Sequence, residues 1–158
     1  MNTFTPPALV HETHLPRLRV SYLDWPGNSP PIVLLHPNRT NARVWDFVVD
    51  ASTLPNRFIA PDARGHGLSD YPQQGYELQD YLIDLIEFLD ALEIPQAVLV
   101  GAATGGNIAL LAASQYRDRI AALVVADPGL SLDAKISSDV KEEIVKNFRF
   151  PDFASAKA

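Results

Sequence analysis

Four short, continuous apolar runs, each too brief for a helix, constrain this chain more than any other feature. The first is Pro31-Ile32-Val33-Leu34-Leu35-His36, and similar runs return at Arg57 to Pro61, Ala97 to Gly101 and Ile120 to Ala126. An unbroken apolar run of this length is how a strand buried on both faces of a parallel sheet reads. Parallel neighbours need crossovers, and the sequence supplies them. Between the second and third runs Leu82, Leu85, Ile86 and Leu89 fall at helical spacing, with Asp80, Asp84, Glu87 and Asp90 on the remaining faces. Gly105 to Tyr116 reads as another helix and Ala42 to Ser52 as a shorter one. Strands and helices therefore alternate, which predicts an α/β fold: a mostly parallel, doubly wound sheet in three αβα layers.

The flanks read differently. Thr5-Pro6-Pro7 cannot be helical, because proline lacks an N–H and pushes its predecessor toward extended geometry, so residues 1–16 are expected to be a loose lead-in. Arg17 to Asp24 alternates, with Leu18, Val20 and Tyr22 on one side, and Trp25-Pro26-Gly27-Asn28 supplies turn residues. A strand in an antiparallel hairpin is expected there. Residues 17–130 form the core on this reading. After Asp127-Pro128-Gly129 the pattern changes, and residues 131–158 read as the start of a lid or cap whose helix presents Ile136, Val140, Ile144, Val145 and Phe148.

Charge and composition narrow the function classes. Against 13 Lys plus Arg stand 19 Asp plus Glu, and the resulting −6 repels phosphate backbones and anionic lipid heads alike. Neither nucleic acid nor a membrane is an expected partner. With no cysteine there is neither a disulfide framework nor a thiolate metal site, and no metal or cofactor is expected. Met1 to His14 lacks the basic patch and apolar stretch of a secretory signal, and the longest apolar run is the seven residues Ile120 to Ala126. The expected location is cytoplasmic.

The chemistry is carried by the segment from Ala97 to Leu111: a buried strand, a turn of small residues (Gly101-Ala102-Ala103-Thr104-Gly105-Gly106), then a helix. A P-loop would need Lys and Ser or Thr after Gly106, where Asn107 and Ile108 stand, so no lysine can reach a phosphate. A dinucleotide fingerprint, or a flavodoxin-like nucleotide site, would need glycine at Ala103 or other phosphate recognition. A nucleophile elbow, Gly-x-Ser-x-Gly, is matched by Gly101 and Gly105, which permit a sharp turn that presents the central side chain. From the local sequence, glycines that merely let helix and strand approach closely remain an open alternative.

In this order the motifs resemble those of the α/β-hydrolase family over almost all of residues 17 to 130. The strand ending in His36, with Trp45 nine residues on, is similar to the family's His-Gly oxyanion segment. Asp62-Ala63-Arg64-Gly65-His66-Gly67-Leu68-Ser69 is similar to its Asp-x-Arg-Gly-x-Gly-x-Ser turn, and the elbow follows after one helix and one strand. The resemblance implies an acyl-bond hydrolase acting on a carboxylic ester or related small molecule. It also implies an oxyanion hole made by the N–H groups of Thr104 and Asn38, with His36, Asp62, Arg64, Gly65, Gly67, Gly101 and Gly105 in structural roles.

Two departures qualify this. The nucleophile position falls on Ala103, whose methyl group can neither attack a carbonyl nor be deprotonated; restoring serine gives Gly-Ala-Ser-Thr-Gly-Gly, an ordinary elbow. A register shifted by one would centre Thr104, whose β-branch suits the elbow poorly. Further, His11, His14, His36 and His66 all precede the elbow, whereas this fold keeps the order Ser, acid, His. Asp127 is a candidate triad acid, or it turns the chain together with Pro128 and Gly129. Proline in place of glycine at position 37 fixes a backbone angle in the oxyanion loop. The expectation is an inactive, nucleophile-less hydrolase in truncated or split form, partnered by a complementary C-terminal segment or second chain. The alternative is a natural non-catalytic binding or scaffold member of the fold.

Overall fold

The runs form one sheet. The computed structural model describes residues 7–128, and its strands are β1 (Leu9–His14), β2 (Arg19–Trp25), β3 (Asn28–Leu35), β4 (Asn56–Pro61), β5 (Ala97–Ala102) and β6 (Ile120–Ala126), in the order β1-β2-β4-β3-β5-β6. β4, β3, β5 and β6 are mutually parallel, while β1 and β2 are antiparallel additions at one side. The helices are α1 (Asp46–Asp50), preceded by a 3₁₀ turn at Ala42–Trp45, then α2 (Leu78–Ala91) and α3 (Thr104–Gln115).

Strand periodicity divides the core. Successive side chains of a strand point to opposite faces, so Val33 and Leu35 of β3 join Ile59 and Leu99 beneath α2 and α3, whereas Ile32 and Leu34 join Phe58, Ala60, Trp45 and Val49 beneath α1. Three layers result, as the alternating pattern predicts. The helix from residue 136 onward lies outside the described residues.

Three expectations are corrected. Residues 9–14, placed in the lead-in, form β1, which pairs with β2 from Leu9↔Asp24 to His14↔Arg19. The hairpin is thus made with the segment before Arg17, and the turn at residues 25–28 leads instead to β3, with β4 lying between β2 and β3. β6, whose run reads as doubly buried, is exposed along much of its length, with Val124 at 53%. Among the described residues it has only β5 as a sheet neighbour and α3 over one face. Third, Asp84, assigned to the polar side of α2, is buried at 8%.

Candidate functional site

The sheet order reverses direction between β3 and β5: β4 lies on one side of β3, and the next strand in sequence lies on the other. In open α/β sheets the crevice beyond the carboxyl ends of the strands at such a reversal is where ligands bind. Leu35 pairs with Gly101, so the loop after β3, which carries His36, Asn38 and Arg39, leaves the sheet beside the turn that carries Ala103. Among the described residues four non-glycine residues have positive φ, and three of them, Arg39 (φ 62), Ala103 (φ 47) and Asp127 (φ 45), follow carboxyl ends of these strands. Such backbone conformations cost about 1–3 kcal/mol each and cluster where a chain is held for function.

Ala103 is the sharpest case. It stands between β5 and α3 at φ 47, ψ −114, donates its N–H to the Ala126 carbonyl at 3.0 Å and accepts from the Asn107 N–H at 3.0 Å. The glycines flanking it make the turn. A Cβ on Gly105 would meet the Leu35 carbonyl oxygen at 2.1 Å, and one on Gly101 would meet the Gly105 carbonyl oxygen at 2.3 Å. Close helix–strand approach and a strained, side-chain-presenting turn are therefore one arrangement here, and the two readings of the motif do not compete. Thr104 opens α3, and a first-turn N–H has no acceptor within its own helix.

His36 is buried and neutral. Its Nε2 accepts the Ala63 N–H at 3.0 Å, which leaves Nδ1–H to donate to the Pro37 carbonyl at 2.8 Å. Burial pushes its pKa below the ordinary value; the Pro37 carbonyl opposes this and the neighbouring His66 adds to it. Both ring nitrogens are thus committed to shaping the loop. The Thr40 hydroxyl donates to the same Pro37 carbonyl at 2.6 Å.

The turn after β4 is fully knitted. Asp62 accepts the Ala42 N–H on Oδ1 at 2.7 Å and the Leu68 N–H on Oδ2 at 2.8 Å, while Ser69 Oγ donates to the Asp62 carbonyl at 2.6 Å and accepts from the Ser21 N–H at 2.9 Å. Gly67 (φ +53) is obligatory, since its Cβ would fall 2.0 Å from Asp62 Oδ2; Gly65 (φ +69) sits under the Tyr76 ring. Arg64, 4% exposed, makes a two-pronged contact with Asp84 at 2.5 Å on each arm and donates to the Gly75 carbonyl. Hydrogen bonding to Asp84 raises its pKa further above the ordinary value. Asp84 is the residue sequence reasoning missed, although a buried arginine demands a carboxylate.

Asn38 is exposed, and its Oδ1 accepts the Arg39 N–H at 2.9 Å and lies 2.9 Å from His66 Nε2. His66 Nδ1 lies 2.9 Å from the Arg64 carbonyl, so His66 ties the loop after β3 to the turn after β4. Asp127 is exposed immediately after Ala126, whose carbonyl holds the Ala103 N–H. His11 stacks on Tyr22 at 5.5 Å, remote from the reversal. Among the described residues no group of three side chains could hold a metal ion, and no helix is long and apolar enough to cross a membrane.

The profile described as the alpha/beta hydrolase family matches residues 32–157. A 2-(acetamidomethylene)succinate hydrolase of Mesorhizobium japonicum is 36% identical over 103 residues, covering 64% of this chain and 36% of that protein. A non-heme chloroperoxidase of Streptomyces lividans is 33% identical over 135 residues, covering 84% of this chain and 45% of that protein. The crystal structure of a hydrolase from Pseudomonas aeruginosa PA01 superposes with TM-score 0.72 at 28% identity, over 93% of this chain and 56% of its own. The chain spans less than half the length of these two curated relatives.

Proposed function

We propose, since this chain belongs to the alpha/beta hydrolase family, that the crevice beyond the carboxyl ends of β3 and β5 is an acyl-compound site of the ester-hydrolase kind, with alanine standing where the nucleophile acts. The observation that carries this reading is the backbone of Ala103, held at φ 47 and ψ −114 in the turn from β5 to α3. That is a strained conformation with no evident use except to present a side chain at the head of a helix.

An acyl carbonyl seated over Ala103 would direct its oxygen toward the N–H of Thr104, unclaimed by α3, and the N–H of Asn38. Pro37 has no N–H to offer. The positive end of the α3 dipole favours the same developing negative charge. Covalent attack is unavailable, because a methyl group has neither lone pair nor acidic proton. Loss of the nucleophile from a serine hydrolase costs on the order of a millionfold in turnover, with the remainder supplied by the oxyanion donors and binding. His36 is no substitute base, since both its nitrogens are occupied. Asp127, next to the Ala126 carbonyl that holds Ala103, is suited to the role of triad acid for a histidine supplied from a later segment. A complementary segment or second chain, pairing along β6, is the natural source of that histidine.

The relative from Mesorhizobium japonicum is named for hydrolysis of a substituted succinate, and a carboxylate-bearing acyl compound is the substrate class that this likeness suggests. The experiment is hydrolysis of p-nitrophenyl esters by the chain, alone and with a segment supplying the later strands, as Ala103 and as Ala103→Ser. Turnover confined to the serine form with the segment present supports a hydrolase. Ligand binding without turnover in either form supports a non-catalytic binding protein built on the same crevice.

A further inference from the structure

We infer that Arg39 is the anion-recognising residue of this crevice, selecting acyl compounds that carry a carboxylate; the inference rests on the acyl-site reading above and names the residue behind it. Arg39 is the fourth residue beyond Leu35 on the loop leaving β3, and Ala103 is the second beyond Gly101, the register partner of Leu35 on β5. Both therefore leave the same edge of the sheet from adjacent parallel strands.

The backbone of Arg39 lies at φ 62, a region that disfavours residues with a Cβ and that glycine or asparagine enters more readily. Its N–H is fixed by donation to Asn38 Oδ1 at 2.9 Å, with His66 Nε2 at 3.4 Å. The turn would fold with less strain around a smaller residue, so local structure gives no reason for arginine here. Neither does internal pairing. Six other arginines (17, 19, 43, 57, 64 and 119) each hold a carboxylate within 3.5 Å. Arg39 is exposed and takes part in no ion pair among the described residues.

A guanidinium on a pinned loop, with no ion pair among the described residues, is a preorganised fork for a carboxylate, which it grips through two parallel N–H donors. The local field needs such a cation. The chain carries −6 overall, and Asp127 stands exposed on the same edge, so an anionic substrate would otherwise be repelled.

The test titrates the chain, as Ala103, with monomethyl succinate and with dimethyl succinate, following the amide resonances of Thr104 and Asn38. The monoester is expected to bind at least tenfold more tightly. Arg39→Gln should reduce it to the level of the diester, Arg39→Lys should keep part of the preference, and Arg43→Gln should leave it intact. Equal binding of both esters, a preference that survives Arg39→Gln, or one that Arg43→Gln removes equally well would overturn the role of Arg39 while leaving the acyl site standing. If neither ester moves Thr104 or Asn38, the acyl-site reading fails and Arg39 falls with it.

Discussion

The turn after β4 and the two loops beside the sheet reversal use their polar groups in opposite ways. In the turn from Asp62 to Ser69 three polar side chains face inward: Asp62 holds two backbone N–H groups, Ser69 ties Ser21 of β2 to the Asp62 carbonyl, and Arg64 locks onto Asp84. At Asn38, Arg39, Ala103 and Asp127 the backbone is strained or exposed, the N–H of Thr104 opens α3 with no acceptor in its own helix, and Arg39 has no ion pair among the described residues. Both regions belong to the motifs by which the chain resembles its family. The difference teaches that one motif maintains the scaffold and the other presents a surface, and that motif membership alone does not separate the two.

Substitutions should split along that line. Arg64→Met takes both prongs from the Asp84 carboxylate, 8% exposed, and leaves it only Arg17 at 3.0 Å; breaking a buried pair from one side costs about 3–5 kcal/mol, and the remaining cation places the expected loss at the low end of that range, while Arg39→Gln should stay within about 0.5 kcal/mol of the parent in urea unfolding. If the two variants unfold alike, the contrast is wrong. Asp62→Ala frees the N–H groups of Ala42 and Leu68, for an expected loss of about 2–4 kcal/mol, whereas Asp127→Ala should leave the urea midpoint almost unchanged.

Acid should act through the scaffold as well. His36 has a folded pKa below its ordinary 6.5, so the unfolded chain binds the extra proton first. The His36 contribution is intact above about pH 6.5 and is lost as pH falls below it. His36→Asn should flatten that limb of a Tm–pH curve, and an unchanged slope would contradict the assignment. The smallest effect runs the other way: Ala103→Gly relieves a positive φ and should stabilise the fold by about 1 kcal/mol, read as a raised urea midpoint.

The parallel strands were legible because burial on both faces leaves an unbroken apolar run, as at residues 31–36 and 97–101, and the crossover at Leu82 to Leu89 because its apolar spacing is helical. β1 was hidden, since Leu-Val-His-Glu-Thr-His sits largely exposed at the sheet edge and carries no clean alternation. β6 misled in the opposite sense: its composition is that of a covered strand, while the described residues cover little of it. Asp84 was unreadable because helical periodicity assigns faces without knowing which arginine comes to meet them. At the site, the elbow could be read from its glycines. The strain at Arg39 could not, because arginine, unlike glycine, carries no signature of a left-handed turn.

The most direct test of the central claim, that Ala103 stands where an acyl carbonyl would be attacked, puts a thiol there. The chain has no cysteine of its own, so Ala103→Cys reports from one site, and Gln74→Cys on an exposed turn serves as the reference. The rates to compare are acylation by p-nitrophenyl acetate, which builds an oxyanion, and alkylation by iodoacetamide, which does not. A thiol at the head of α3 gains thiolate character in both reactions, so the ratio of acylation to alkylation isolates the oxyanion donors. The account predicts a ratio at least tenfold higher at position 103 than at position 74; equal ratios would contradict it.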